Sequence, residues 1–120
     1  MIGFFEIVRD GDSLIVIPTI DLRETVFERL CDETTNILAA FDGTTTRHLI
    51  MDFHRTQEFG STAIGYFVTL WKRIRERNGR MAFCNLTPYE KEILHVTRLD
   101  QLWPLCATRE DALKVVREST

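Results

Sequence analysis

Apolar positions along the chain fall into two kinds of run. Short, nearly continuous runs are rich in β-formers and predict strands: "GFFEIV" (3–8), "SLIVIP" (13–18), "HLIMDF" (48–53) and "RMAFCN" (80–85). Longer runs, with apolar residues three and four apart, predict helices. The first begins at "DLRE" (21–24), where Asp21 can cap a helix start with Glu24 three residues on. Val26, Leu30, Ile37, Leu38 and Phe41 follow at roughly helical spacing, and Asp42-Gly43 closes the run. The second opens at Ser61, carries Ile64, Phe67, Val68, Trp71 and Ile74, and ends at Asn78-Gly79. The third, "TPYEKEILHV" (87–96), has Thr87 as cap, Pro88 at the first helical position and Glu90 at the third. The last, "TREDALKVVR" (108–117), starts from Thr108. Between these two, "LWPL" (102–105) predicts a short edge strand, because Pro104 cannot donate to a central ladder.

The resulting order is β-β-α-β-α-β-α-β-α. Asp10-Gly11 between the first two strands signals a hairpin. A hairpin followed by βαβ units predicts an α/β fold with a mostly parallel sheet, one antiparallel edge and about four helices. In such a sheet the loops leaving the C-terminal ends of the parallel strands gather on one edge, where this architecture places function. Those loops carry Asp21, the stretch Glu58 to Thr62, and Asn85 to Thr87. The stretch "EFGSTAIGYF" (58–67) concentrates small and hydroxylated residues at the junction between strand and helix.

Bulk properties narrow the class. The 120 residues are expected to form one domain, 1–120, with no linker, repeat or low-complexity stretch. Hydrophobic residues make up 44% and charged residues 28%, as in ordinary globular proteins. The net charge of −3 and pI near 5.6 argue against nucleic acid as the main partner, since binding DNA requires a basic surface. No stretch has the length of a membrane span or the form of a secretory leader. Cys31, Cys84 and Cys106 are odd in number and far apart, and are read as buried thiols of a cytoplasmic protein.

Several chemistries fail on spacing. Gly60 to Gly65 gives G-x-x-x-x-G, but Tyr66-Phe67 follow where a phosphate-binding loop needs Lys and then Ser or Thr. Ser61 follows Gly60 directly and precedes Thr62-Ala63, so the G-x-S-x-G spacing of a nucleophile elbow fails. His48, His54, His95 and the cysteines form no pair at metal-ligand spacing, so no metal or cofactor is expected. A catalytic acid, base and nucleophile set is missing, which leaves a small-molecule or hydrolytic domain without support. The run "WKRIRERNGR" (71–80) reads first as a solvated helix face with cations at the end the helix dipole favours, and second as a contact patch for an acidic protein surface. Ser61 suits a helix N-cap. The same position suits phosphorylation, because a phosphate there meets open backbone N–H groups and the positive end of the dipole.

These motifs resemble the STAS domain, the fold of bacterial anti-sigma factor antagonists and stressosome subunits. The resemblance spans nearly the whole chain and is most specific over residues 47–113. The family has an apolar strand ending in Asp, here Asp52, then an acidic-Ser-Ser/Thr-Gly-Leu-Gly motif opening a helix, here Gly60-Ser61-Thr62-Ala63-Ile64-Gly65. "CNLTPYEKEIL" and "TRLDQLWPLCATREDAL" match the family's later strand-helix junction and tail. The family's Gly-Glu-Leu-Asp stretch keeps its last residue, in Pro18-Thr19-Ile20-Asp21. The motif's acidic position is Gly60 and its first glycine is Ala63. The resemblance implies a non-enzymatic partner switch. The unphosphorylated antagonist binds an anti-sigma factor serine kinase, phosphorylation of a serine releases it, and a PP2C-type phosphatase restores it. The serine falls on Ser61, with Thr62 as the neighbouring hydroxyl. Asp21, Gly60, Ser61, Thr62 and Asn85 are the implied partner-binding residues. A stressosome-like scaffold that docks without being phosphorylated is the alternative, and the sequence does not fix the oligomeric state.

Overall fold

A computed structural model describes residues 5–21, 37, 39 and 46–118, and for Ser61 and Thr62 it describes the backbone. Five strands form one sheet in the order β1-β2-β3-β4-β5: β1 (Phe5–Asp10), β2 (Ser13–Pro18), β3 (His48–Asp52), β4 (Met81–Cys84) and β5 (Leu105–Cys106). The β1–β2 pair is antiparallel and the other pairs are parallel. The helices are α1 (Ser61–Glu76), α2 (Pro88–Val96) and α3 (Arg109–Glu118), with a short 3-10 turn at Leu99–Gln101. The mixed α/β sheet expected from the sequence is therefore present. The expected helix over 21–41 lies outside the described residues, apart from Asp21 at its start and Ile37 and Ala39, which are helical.

Strand alternation sorts side chains onto two cores. Leu14, Val16, Leu49, Met51, Met81 and Phe83 face one side, where they meet Ala63, Phe67, Leu70 and Ile74 of α1 and Leu94 of α2. Ile15, Ile17, Ile50, Ala82 and Cys84 face the other, under Ala112, Leu113 and Val116 of α3. Because β2, β3 and β4 are covered on both faces, their sequences read as continuous apolar runs rather than alternating ones. The α1 stripe lies about one residue away from the one read from spacing: Ala63, Phe67, Leu70 and Ile74 are buried, while Ile64, Val68 and Trp71 flank them. An aromatic cluster fills the first core. Phe53 contacts Phe59, Phe67 and Phe83, and Phe83 stacks on Trp103 at 4.9 Å between centroids.

The turns follow their residues. Gly11 takes φ +60 in the two-residue loop joining Asp10 to Ser13, so the hairpin centres on Gly11-Asp12. At the end of α1, Asn78 holds the left-handed conformation (φ 60). The amides of Asn78 and Gly79 donate to the carbonyls of Arg75 and Ile74, which makes a Schellman cap. Thr108 Oγ1 accepts from the Asp111 amide at the start of α3. The edge strand differs from its expected place at 102–105. It is Leu105–Cys106, and Pro104 precedes it, offering only its carbonyl to the Phe83 amide while Trp103 turns into the core. Cys84 is buried and Cys106 half-buried, and burial pushes both thiols up; Cys31 lies outside the described residues.

His48 is buried where β3 begins. Its Nδ1 accepts from the Arg80 amide at 3.0 Å, which leaves the remaining ring proton on Nε2, 3.6 Å from Asp12. Burial lowers its pKa, and the nearby Asp12 charge offsets part of that shift.

Candidate functional site

The C-terminal ends of β2, β3 and β4 bring Asp21, the 53–60 loop, the first turn of α1 and Asn85 to one edge of the sheet. The loop is pinned from three directions. From the β2 side, Asp21 Oδ1 accepts from the amides of Gln57 (2.9 Å) and Glu58 (3.3 Å). Asp21 thus fastens the loop that leads into α1; the residues it was expected to cap lie outside the described ones. From the α2 side, Thr87 Oγ1 donates to the Gln57 carbonyl at 2.9 Å, and Thr56 Oγ1 donates to Glu90 Oε2 at 3.0 Å. Thr87 and Glu90 also complete the capping box expected at that helix start. Glu90 is fully buried, and this burial raises its pKa against the opposing pull of its Thr87 and Thr56 hydrogen bonds.

From below, the loop hangs on Asp52. This carboxylate closes β3, is 1% exposed and gathers four donors. Oδ1 accepts from the His54 amide (3.0 Å), from His54 Nδ1 (3.0 Å) and from Asn85 Nδ2 (2.9 Å). Oδ2 accepts from Arg109 Nε at 3.0 Å. Burial alone would raise the Asp52 pKa, but the bonds from Asn85, His54 and Arg109 more than offset it, so the carboxyl titrates below the ordinary aspartate range. Asn85 reaches Asp52 from a left-handed backbone position (φ 58) immediately after β4. Of the residues named from sequence, Asp21 and Asn85 are thus both engaged around the 53–60 loop. Sequence reasoning missed the roles of His54 and Arg109. One signal for Arg109 was present: a cation in the first turn of a helix opposes the helix dipole and needs a local carboxylate to justify it.

The start of α1 departs from expectation. Gly60 occupies the N-cap (φ −95, ψ 176), so Ser61 is the first helical residue rather than the cap. Gly60 has no side chain to accept from the first turn, no side-chain cap bond forms there, and that turn carries no acidic residue. The Ala63 amide donates to the Gly60 carbonyl at 3.1 Å, and no side chain at the cap competes for the amides of this turn. One turn further, Gly65 is exposed, and a Cβ at that position would meet no atom within 4 Å. Among the described residues nothing requires glycine there, although glycine in a helix costs about 1 kcal/mol relative to alanine. Gly60 and Gly65 thus place no side chain at the cap or at the exposed position one turn further.

Among the described residues no group of His, Cys, Asp and Glu could hold a metal ion, and no helix is long and apolar enough to cross a membrane. Comparison with known proteins agrees with the fold. No curated protein matches the chain. An anti-sigma-factor antagonist (STAS) domain protein from Planctomyces limnophilus is 31% identical over 94% of this chain and 97% of its own, with a TM-score of 0.81. The anti-sigma factor antagonist SpoIIAA in its unphosphorylated form shares the fold at 18% identity, with 97% of this chain and 98% of its own covered and a TM-score of 0.74. The Bacillus cell fate determinant SpoIIAA in its phosphorylated form is 20% identical, with 94% of this chain and 99% of its own covered and a TM-score of 0.66. The STAS domain model matches residues 12–112, from the hairpin turn into α3 and across the whole loop-bearing edge, and the chain belongs to the STAS domain family.

Proposed function

We propose that the protein is an anti-sigma factor antagonist. In this reading it docks an anti-sigma factor kinase through the C-terminal sheet edge and is released when Ser61 is phosphorylated. The observation that supports it is the side-chain-less cap at Gly60, at the head of a loop held by Asp21, Asp52, Thr87 and Glu90. A fixed loop costs little further ordering on binding. The first-turn amides and the dipole tolerate a phosphate, so modification leaves the fold intact while adding nearly two negative charges to the docking face. A PP2C-type phosphatase then returns the protein to the binding state, and Thr62 is the alternative acceptor. The kinase, the phosphatase, the cytoplasmic setting and the absence of catalysis all rest on this reading.

Phosphopeptide mapping of the native protein over residues 56–72 is expected to find phosphate on Ser61 in a fraction of molecules. Ser61→Asp is expected to melt with the wild type and to bind the kinase at least about tenfold more weakly. Equal binding by the two proteins would end the switch reading. It would leave the scaffold reading, which the lack of an acid in the first turn of α1 favours, with docking alone as the role of this face.

Gly65 separates packing from docking. Gly65→Ala is expected to raise stability by about 1 kcal/mol, measured by denaturant unfolding, because the added methyl group meets no atom. Bulkier Gly65→Leu is expected to keep the fold and lose kinase affinity, measured by titration calorimetry. Unchanged affinity would remove this turn from the docking face.

A further inference from the structure

At the opposite edge of the sheet, where β3 and β4 begin, stands a cluster of cations that the proposed function does not use. Arg47 and Arg80 immediately precede the two strands, and α1 returns to this edge carrying Lys72 and Arg75. All four are exposed. Among the described residues none of the four has a carboxylate partner. The acids of this edge are already engaged: Asp10 and Asp12 with Arg117 (3.1 and 3.5 Å), Asp12 also facing His48, and Glu76 with Arg73 (3.8 Å).

The cluster is also shaped. The Arg75 guanidinium lies over the Trp71 ring, 4.7 Å from its centroid, which limits the wandering of a long side chain. Arg47 Nη2 donates to the Asn78 carbonyl at 3.0 Å, which fixes a second guanidinium against the end of α1. Lys72, Arg75 and Glu76 line a shallow depression of about 340 Å³.

We propose that this edge is a second docking surface, for an acidic segment of a partner protein. Charge complementarity selects the partner. The chain as a whole carries 18 acidic against 15 basic residues, so a long polyanion or an anionic membrane would extend past the patch onto an acidic remainder. A short run of carboxylates matches both the size of the patch and the fork geometry of arginine. Ser61 and Arg75 stand at opposite ends of α1, about 21 Å apart along the helix axis. The two surfaces are therefore separate, and a partner held here stays bound whether or not the other edge is occupied.

The test uses the full chain and a fluorescein-labelled oligoglutamate peptide in fluorescence anisotropy, with single-stranded DNA and phosphatidylserine-containing vesicles as competing probes. Oligoglutamate is expected to bind, and to weaken as salt rises. Reversal of two charges, Lys72→Glu with Arg75→Glu, is expected to weaken it more than about tenfold. A second variant, Lys72→Glu with Arg80→Glu, leaves the Trp71 contact in place and guards against loss of local packing. Ser61→Asp is expected to change nothing. Peptide binding that survives both reversals, or that falls with Ser61→Asp, would overturn the proposal. So would tighter, reversal-sensitive binding of the DNA or the vesicles.

Discussion

Asp52→Ala is expected to lower the unfolding free energy by roughly 3 kcal/mol, with urea denaturation as the check. The size follows from what the carboxylate satisfies. It is 1% exposed, yet it accepts four hydrogen bonds, two of them from His54 and one each from Asn85 and Arg109. Alanine leaves the Arg109 guanidinium, 30% exposed, beside a void with no counter-charge. Asp52→Asn keeps the volume but brings an NH2 group into a ring of donors, so its cost lies between wild type and alanine. The pH dependence distinguishes charge from shape. The folded-state pKa of Asp52 is lowered, so its contribution is present above the ordinary value of 3.8 and is lost as pH falls through the folded value. The gap between wild type and Asp52→Asn is therefore expected to narrow below pH 3.8. Glu90 works in the opposite sense. Its pKa is raised by burial, so its contribution is present below 4.5 and is lost as pH rises through the folded value. A gap that stays constant on acidification would mean that Asp52 contributes by packing alone.

Gly79→Ala is expected to cost about 3 kcal/mol or more, checked by the same denaturation, for a purely steric reason. A Cβ at this position would stand 1.6 Å from the Arg47 carbonyl oxygen, 2.7 Å from the Arg47 carbonyl carbon and 3.1 Å from Ile74 Cγ2. The obstructing backbone cannot step aside. The amides of Arg47 and His48 are bonded to the Asp12 carbonyl, and the Leu49 amide to the Arg80 carbonyl. Asn78→Gly, in the same turn, is the contrasting case. The left-handed φ of 60 at Asn78 suits glycine, so that variant is expected to be neutral or slightly more stable. Equal costs for the two variants would mean that the turn relaxes freely.

The contrast between Asn78 and Gly79 shows how much of the fold the chain's pattern carries. "NG" marks a helix end in sequence, and the helix does end there. Which residue takes the left-handed slot and which makes room for a distant backbone depends on Arg47, 32 positions earlier. The strands and helices were legible for a similar reason: burial on one or two faces repeats with a short period. β5 was displaced because the same few apolar residues at 102–105 supply a core tryptophan before the strand begins. At the candidate site, Asp21, Gly60, Ser61 and Asn85 could be found because they sit where loops leave parallel strands. In the Asp52 network Asn85 and Arg109 lie 33 and 57 positions away, so although a cation in the first turn of α3 asks for a carboxylate, nothing local says that the carboxylate is Asp52.

The aromatic arrangement gives the molecule an optical reporter of its own. The chain has two tryptophans. Their rings meet edge to face at 6.2 Å, close enough for their near-ultraviolet transitions to couple, so native packing carries a circular dichroism signature that is lost when the two rings separate. Trp103 is sealed in the core, while Trp71 lies half-buried under a cation. Emission changes without loss of the coupled signal therefore report events at the helix surface. Loss of both reports the opening of the core. One unlabelled sample can tell binding from unfolding.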